Sequence, residues 1–424
     1  MADTRAVIES VFRQESGRII ASLIRLSGSF DLAEEAMQEA FTAALTHWPE
    51  RGIPQNPGAW LMAAAHRKLI DYARREKTRR EKQDPLQYET ERSQQAGADD
   101  ALLDPMTTYP DDRLRLIFTC CHPALNQEAQ VALTLRTLGG LTTAEIARAF
   151  LLPEPTLAQR IVRAKAKIRD ARIPYEVPPL AALPSRLTAV QAVIYLIFNE
   201  GYAATTGQNL IRGELCAEAI RLGRTLCELL PGDSESLGLC ALMLLQDSRR
   251  DARISEKREL VPLEDQDRSR WHTAQIEQGV ALVERALRMQ SIGPYQVQAA
   301  IAAVHAQAAS SAETDWDEIA SLYGILYRLT PSPVVALNRA VAIAMSAGLE
   351  KGPALIDDLG TSGELERYYL FHAARADILR RLERRAEAAD AYASALALVS
   401  NDVERSYLMR RLALVTEKAS APAS

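Results

Sequence analysis

Between Leu157 and Arg169 the chain sets Gln159, Arg160, Arg163, Lys165, Lys167 and Arg169 opposite Leu157, Ile161, Ala164 and Ile168. The four apolar residues recur at steps of four, three and four, which predicts a helix with one buried stripe. Guanidinium and amide groups on its other face can pair with base edges, and ammonium groups with phosphates. Such a helix needs a partner to hold it against a groove. The residues before it supply one: Leu141–Phe150 patterns as a short helix capped by Thr142 or Thr143, with Ile146, Ala147 and Phe150 turned inward. Pro153 and Pro155 break the chain between the two. Helix, tight turn and basic helix is the layout of a DNA-reading helix-turn-helix. A merely solvated charged face would look the same, so the rest of the chain has to decide.

A second basic helix is predicted over the stretch that begins at Gly58. Trp60, Leu61, Ala64, Leu69 and Ile70 form its apolar face, and Trp60 reads as core. From His66 to Lys82 eight bases face three acids, about +5, which suits salt-sensitive phosphate contacts. Before it, residues 5–26 carry a helical period, and Asp31 is expected to cap a helix with Glu34, Glu35 and Glu39 in its first turns. Acids there complement the helix dipole. Pro49–Pro57 reads as a loop. From Gln83 to Asp112 eight acids face one base, about −7, and periodicity is lost, which predicts a flexible acidic linker.

These parts resemble, in order, an extracytoplasmic-function (group four, sigma-70 family) RNA polymerase sigma factor over residues ~1–172. The pattern of its promoter −35 reader is met by Leu141, Glu145, Ile146, Ala147, Glu154, Thr156, Arg160, Arg163 and Lys165. The resemblance implies a region-two domain at 1–82, the acidic linker at 83–111 and a region-four helix-turn-helix domain at 112–172. It implies that Asp31, Glu34, Glu35, Gln38 and Glu39 meet the clamp of core RNA polymerase. Arg51, Gln55, Asn56, His66, Arg67, Arg74 and Arg75 would handle the −10 element and its non-template single strand. Glu154, Thr156, Gln159, Arg160, Arg163, Lys165 and Lys167 would contact double-stranded promoter DNA at −35. His66-Arg67 stands where the family usually has arginine-asparagine, which puts −10 specificity in question.

The chain has 424 residues, 47% of them hydrophobic and 25% charged, with a net charge of −5, enough for two or three domains. Ala and Leu dominate and β-type alternation is nearly absent, so an all-α protein is expected. No apolar run reaches the roughly 18–20 residues of a membrane span, and the expectation is a cytoplasmic protein with no membrane contact. Five scattered cysteines read as reduced thiols. Cys120-Cys121-His122 reads as packing with Phe118 before Pro123, because adjacent cysteines share a tetrahedral ion poorly.

After a proline-rich connector at 173–185, residues 186–424 read as a helical regulatory domain. Ala388, Tyr392 and Ala395, with Ala376 twelve residues earlier, fit tetratricopeptide spacing, and Leu226/Pro231 and Leu326/Pro331 repeat a +5 ending. YLIFNEGY at 195–202 and GPYQVQAAIAAVHA at 293–306 resemble the helical extension of one sigma subgroup. Asn199-Glu200 and Glu264-Asp265-Asp267-Arg268 could be catalytic, but they have no companion histidine or phosphate loop, so they read as helix register contacts. The expectation is a non-enzymatic sigma factor without metal or cofactor, its C-terminal domain contacting a regulatory protein. The alternative is a helix-turn-helix regulator whose helical domain senses a ligand or protein and which does not replace a sigma factor.

Overall fold

The computed structural model describes residues 4–83, 110–150, 152–204 and 208–417. The expected acidic linker lies almost wholly outside them, as do the side chains of Lys77, Arg79, Arg80 and Lys82. The described chain is all-α, as the sequence predicts, and it divides into two compact units, 1–193 and 194–424.

In the first unit, α1 (Thr4–Ser27), α2 (Phe30–Arg51) and α3 (Pro57–Gln83) pack against one another. Ile19, Ile20 and Leu23 of α1 meet this bundle fully buried, with Ala33, Ala36 and Ala40 of α2 and Leu61 and Ala65 of α3. Two expectations change here. Ser29, not Asp31, caps α2: its side chain accepts from the Leu32 amide, and Asp31 sits in the first turn. The loop is also shorter than Pro49–Pro57, because α2 runs through Pro49 to Arg51 and only then breaks at Gly52. Trp60 packs edge-on against Trp48 at 5.6 Å, a core contact.

The helix-turn-helix follows in the same unit: α4 (Pro110–Cys120), α5 (Gln127–Thr137), α6 (Thr143–Ala149) and α7 (Glu154–Asp170). Asn126 caps α5 through the Ala129 amide at 2.9 Å. Thr142 and Glu145 form a reciprocal cap at α6: Thr142 Oγ1 accepts from the Glu145 amide, and Glu145 accepts from the Thr142 amide. Leu157, Ile161, Ala164 and Ile168 are all buried, as their spacing predicts. Phe118, Cys120 and Cys121 are buried too. The two thiols face Thr137 and Thr134 Oγ1 at 3.2 and 3.6 Å, and burial pushes both thiol pKa values up, so they stay neutral.

The expected region-two and region-four stretches lie together in this one compact unit. Asp112, whose side chain is fully buried, accepts from Arg25 of α1 at 2.9 Å and from Arg115 at 3.2 Å. Tyr175 in the connector donates to the carbonyls of Ala21 and Asp112. Gly17 of α1 approaches so closely that a Cβ there would lie 3.0 Å from the Leu138 carbonyl oxygen. The connector leads into α8 (Leu183–Tyr202), where Arg186 donates to the Phe118 carbonyl at 2.6 Å.

The second unit is a succession of helices: α9 (Gly213–Leu229), α10 (Ser234–Asp247), α11 (Thr273–Arg288), α12 (Pro294–Gln307), α13 (Trp316–Leu329), α14 (Pro333–Ala347), α15 (Gly352–Gly360), α16 (Tyr369–Arg381), α17 (Arg385–Leu398) and α18 (Asp402–Glu417); most pack on their sequence neighbours, but α12 packs most on α10. Ala376, Ala388, Tyr392 and Ala395 are buried in one cluster with Leu379 and Leu408, the small residues letting α16 and α17 approach closely. Leu226 and Leu326, the repeated positions before Pro231 and Pro331, are buried as well.

Candidate nucleic-acid interface

The outer face of α7 carries Glu154, Thr156, Gln159, Arg163 and Lys167 exposed to solvent. Two expected members of that face are engaged. Arg160 reaches back to Glu128 of α5 at 2.9 Å, a pair spanning the helix-turn-helix. Lys165 is drawn across to α2, with Nζ 2.6 Å from Glu34 and 3.4 Å from Asp31, and its side chain keeps only 13% exposure. One recognition-helix lysine therefore pairs with two of the four acids expected to meet polymerase.

The other three acidic-face residues differ among themselves. Glu35 and Gln38 stand exposed. Glu39 is held by α3: Lys68 pairs with it at 2.8 Å and the Tyr72 hydroxyl donates to it. Those hydrogen bonds, Lys68's first, lower the Glu39 pKa, and the same contact raises that of Tyr72. The sequence counts Lys68 only among the bases of α3 and does not single out Tyr72. They sit on the α3 face that meets α2, and only the crossing of the two helices shows it.

Of the residues expected at −10, Arg51, Gln55, Asn56, Arg67, Arg74 and Arg75 are exposed. Asn56 is partly used, since its side-chain oxygen accepts from the Ala59 amide at 3.0 Å and starts α3. His66 is a correction. It keeps 5% exposure, and burial, with the nearby Arg25 charge, lowers its pKa, so the ring is neutral and turned inward. The signal was in the sequence: His66 falls four residues after Met62 and three before Leu69, on the buried stripe.

The polar clusters of the second unit are ion pairs between elements. Glu200 pairs with Arg212 at 2.5 Å, Glu264 with Arg381, and Asp265 lies 3.9 Å from Arg411. Asp267 accepts from the Ser269 amide and hydroxyl.

With this geometry in view, the family models give the following. Sigma-70 region 2 matches residues 11–79, and Sigma-70, region 4 matches residues 115–168. A family of unknown function (DUF6596) matches residues 186–287. The uncharacterized protein R00370 of Rhizobium meliloti (strain 1021) is 44% identical over 395 residues, 93% of this chain and 92% of its own length. The chain belongs to the family of R00370, and it carries sigma-70 regions 2 and 4 in order. The probable ECF RNA polymerase sigma factor SigI of Mycobacterium tuberculosis (strain CDC 1551 / Oshkosh) is 28% identical over 173 residues, 41% of this chain and 58% of that protein. No solved structure matches the chain. In this sigma-70-type chain, α1–α3 are thus the region-2 helices and α4–α7 the region-4 helices, and no described helix is long and apolar enough to cross a membrane.

Proposed function

We propose that the chain is a cytoplasmic sigma factor of the extracytoplasmic-function type, which binds core RNA polymerase and directs promoter-specific initiation. The observation that carries this is α7: a buried stripe seats it, and Thr156, Gln159, Arg163 and Lys167 are left on the open face where a major groove would lie. Glu35 and Gln38 offer the polymerase an exposed acidic and amide face on α2. Arg67, Arg74 and Arg75 give α3 a basic edge for the −10 region and the separated non-template strand.

The ion pair of Lys165 with Glu34 and Asp31 makes the free chain a closed form, in which a −35 residue and the polymerase face cover each other. Binding polymerase and DNA requires that pair to open. The helices beyond residue 194 form a tetratricopeptide-like scaffold that regulates this step through a partner protein, and their successive packing and small-residue contacts support that reading.

Purified full-length chain added to core polymerase tests the proposal. Promoter-specific transcripts are expected from DNA carrying a cognate −35 and −10 pair. Retarded DNA without any gain in initiation would make the chain a helix-turn-helix regulator instead. A chain ending at Val193, in the same assay, reads the role of the second unit. Raised activity means masking and lost activity a required contact, whereas unchanged activity sinks the regulatory role.

A further inference from the structure

A cavity of about 340 Å³ lies within the second unit, walled by α10, α12, α13 and α14. That volume falls in the lower part of the range that holds small organic ligands, roughly 300–1,000 Å³. Its lining residues are mostly apolar or aromatic by type, with Trp271, Tyr195 and Tyr323 the rings and Leu245 and Ile301 among the aliphatic residues, though polar atoms take up much of the exposed wall. Two titratable groups line it, Arg249 and His305, besides the tyrosines; no carboxylate is among its described lining residues.

The polar side of this cavity carries one lining guanidinium, Arg249, together with the amides of Gln246, Gln298 and Asn338. The Arg249 guanidinium lies 5.6 Å from the centre of the Tyr202 ring and has no ion pair among the described residues. Trp271 keeps 6% exposure, and its indole N–H is buried without a described partner. Behind it, Arg268 stacks on the Trp271 ring at 4.6 Å and donates through Nη1 to the carbonyls of His305 and Ala308. Its Nη2 is likewise buried and unpartnered. The Arg249 and Arg268 charges face each other, with Glu313 the acid that reaches Arg268. Burial first, then these two charges, lowers the His305 pKa to about 4, so at neutral pH the ring adds no charge. Unmatched donors cost free energy, and an anion in the cavity would give Arg249 the ion pair it lacks.

We infer that this cavity binds a small organic carboxylate with an aromatic or aliphatic body, its carboxylate at Arg249 and its body against Trp271 and Tyr195. An inorganic anion would meet the guanidinium and leave the apolar walls wet. A neutral apolar molecule would leave Arg249 desolvated without a partner. The apolar walls and the single lining guanidinium together select a monoanion with a hydrophobic body.

The test uses the full chain, with benzoate and octanoate as probes and benzamide and octanamide as their neutral counterparts. Titration is followed by calorimetry and tryptophan fluorescence. At least one carboxylate should bind saturably at or below about 1 mM, near −4 kcal/mol. Its amide should bind at least tenfold more weakly. Arg249→Met should cost at least tenfold with the thermal unfolding midpoint retained, and Trp271→Phe should remove the fluorescence response while calorimetric binding persists. The carboxylate–amide comparison needs no variant and so survives any folding defect. Equal binding of acid and amide, full binding by Arg249→Met, or no saturable binding of either acid below about 10 mM overturns the assignment. So does displacement of the acids by an unrelated peptide that binds more tightly, which would make the cavity a peptide groove.

Discussion

The two units solve opposite problems, and α7 and α10 show it best. Helix α7 buries four of its seventeen residues and leaves most of the others exposed, so its seat is a narrow stripe. Helix α10 buries twelve of its fourteen, wedged between α9, α11 and α12. At Gly238 of α10 a Cβ would lie 2.6 Å from the Gln296 backbone nitrogen, so that crossing closes on bare backbone. Region 4 meets region 2 where α1 packs on α4 and closes on the Leu138 backbone, and polar contacts join the seam: Arg25 with Asp112, the connector's Tyr175 with two carbonyls, and Lys165 with Glu34. Covered ion pairs such as Arg25–Asp112 add little net free energy over an apolar contact yet are costly to break singly, whereas a continuous apolar stack gains with every side chain. The first unit is therefore joined at a seam rich in polar contacts, and the second by near-continuous apolar packing.

The sharpest way to break that contrast is to cut into α10. Leu239 is fully buried, and Leu239→Ala should destabilise the second unit by about 2–5 kcal/mol, through lost transfer energy and the cavity left behind. Urea unfolding of the full chain should show the second unit melting early while the α1–α7 transition stays in place. A loss below about 1 kcal/mol would mean that α10 is not the centre of its unit.

The opposite result is expected on α7. Arg163 is exposed, so Arg163→Ala should leave unfolding unchanged and cost roughly 1–3 kcal/mol at a cognate −35 site if it reads a base. Equal loss on all DNA would make it a phosphate contact. Arg160→Ala is less clean, because it also frees Glu128.

The stripes were what the sequence made legible. Leu157, Ile161, Ala164 and Ile168 could be placed from spacing alone, and so could Ala376, Ala388, Tyr392 and Ala395, because periodicity is a local signal. Asp31 as a cap was a local misreading, since Ser29 two residues earlier competes for the same amides. The Lys165–Glu34 pair joins residues 131 apart, and no local pattern encodes it. His66 lies between these cases, as a stripe member hidden by its polar chemistry. Trp271, Arg249 and His305 come from three separate elements, and nothing in their spacing announces a shared cavity.

His305 offers a smaller effect inside the second unit. Its folded pKa of about 4 lies below the ordinary value of 6.5, so the unfolded chain takes up a proton in that window and the folded chain does not. Stability is therefore full above about pH 6.5 and falls as the pH drops toward 4. Between pH 7 and pH 5 the loss from this group should be about 1–2 kcal/mol. His305→Gln should flatten that part of the pH profile of the second unit, whereas an identical pH dependence in the variant would show that the ring titrates normally.

The smallest effect bears most directly on the idea that the first unit opens. Lys165 bridges to Glu34 at 2.6 Å with both side chains largely covered, but its second arm, to Asp31 at 3.4 Å, meets a carboxylate that is 68% exposed. The Asp31 arm should contribute almost nothing and the Glu34 arm about 1 kcal/mol. Lys165→Met keeps the apolar stem and removes the charge. With dyes at the exposed positions Leu45 and Val162, the variant should show lower energy transfer than the parent chain. Salt should open the parent more than the variant, since screening acts on the pair that the variant lacks. Core polymerase, titrated without DNA so that the lysine's part in promoter contact does not enter, should bind the variant about fivefold more tightly, the equivalent of 1 kcal/mol. Unchanged energy transfer with unchanged polymerase affinity would mean that the ion pair does not hold the two regions together. The hold between the two regions would then reside in the buried Asp112 contacts instead.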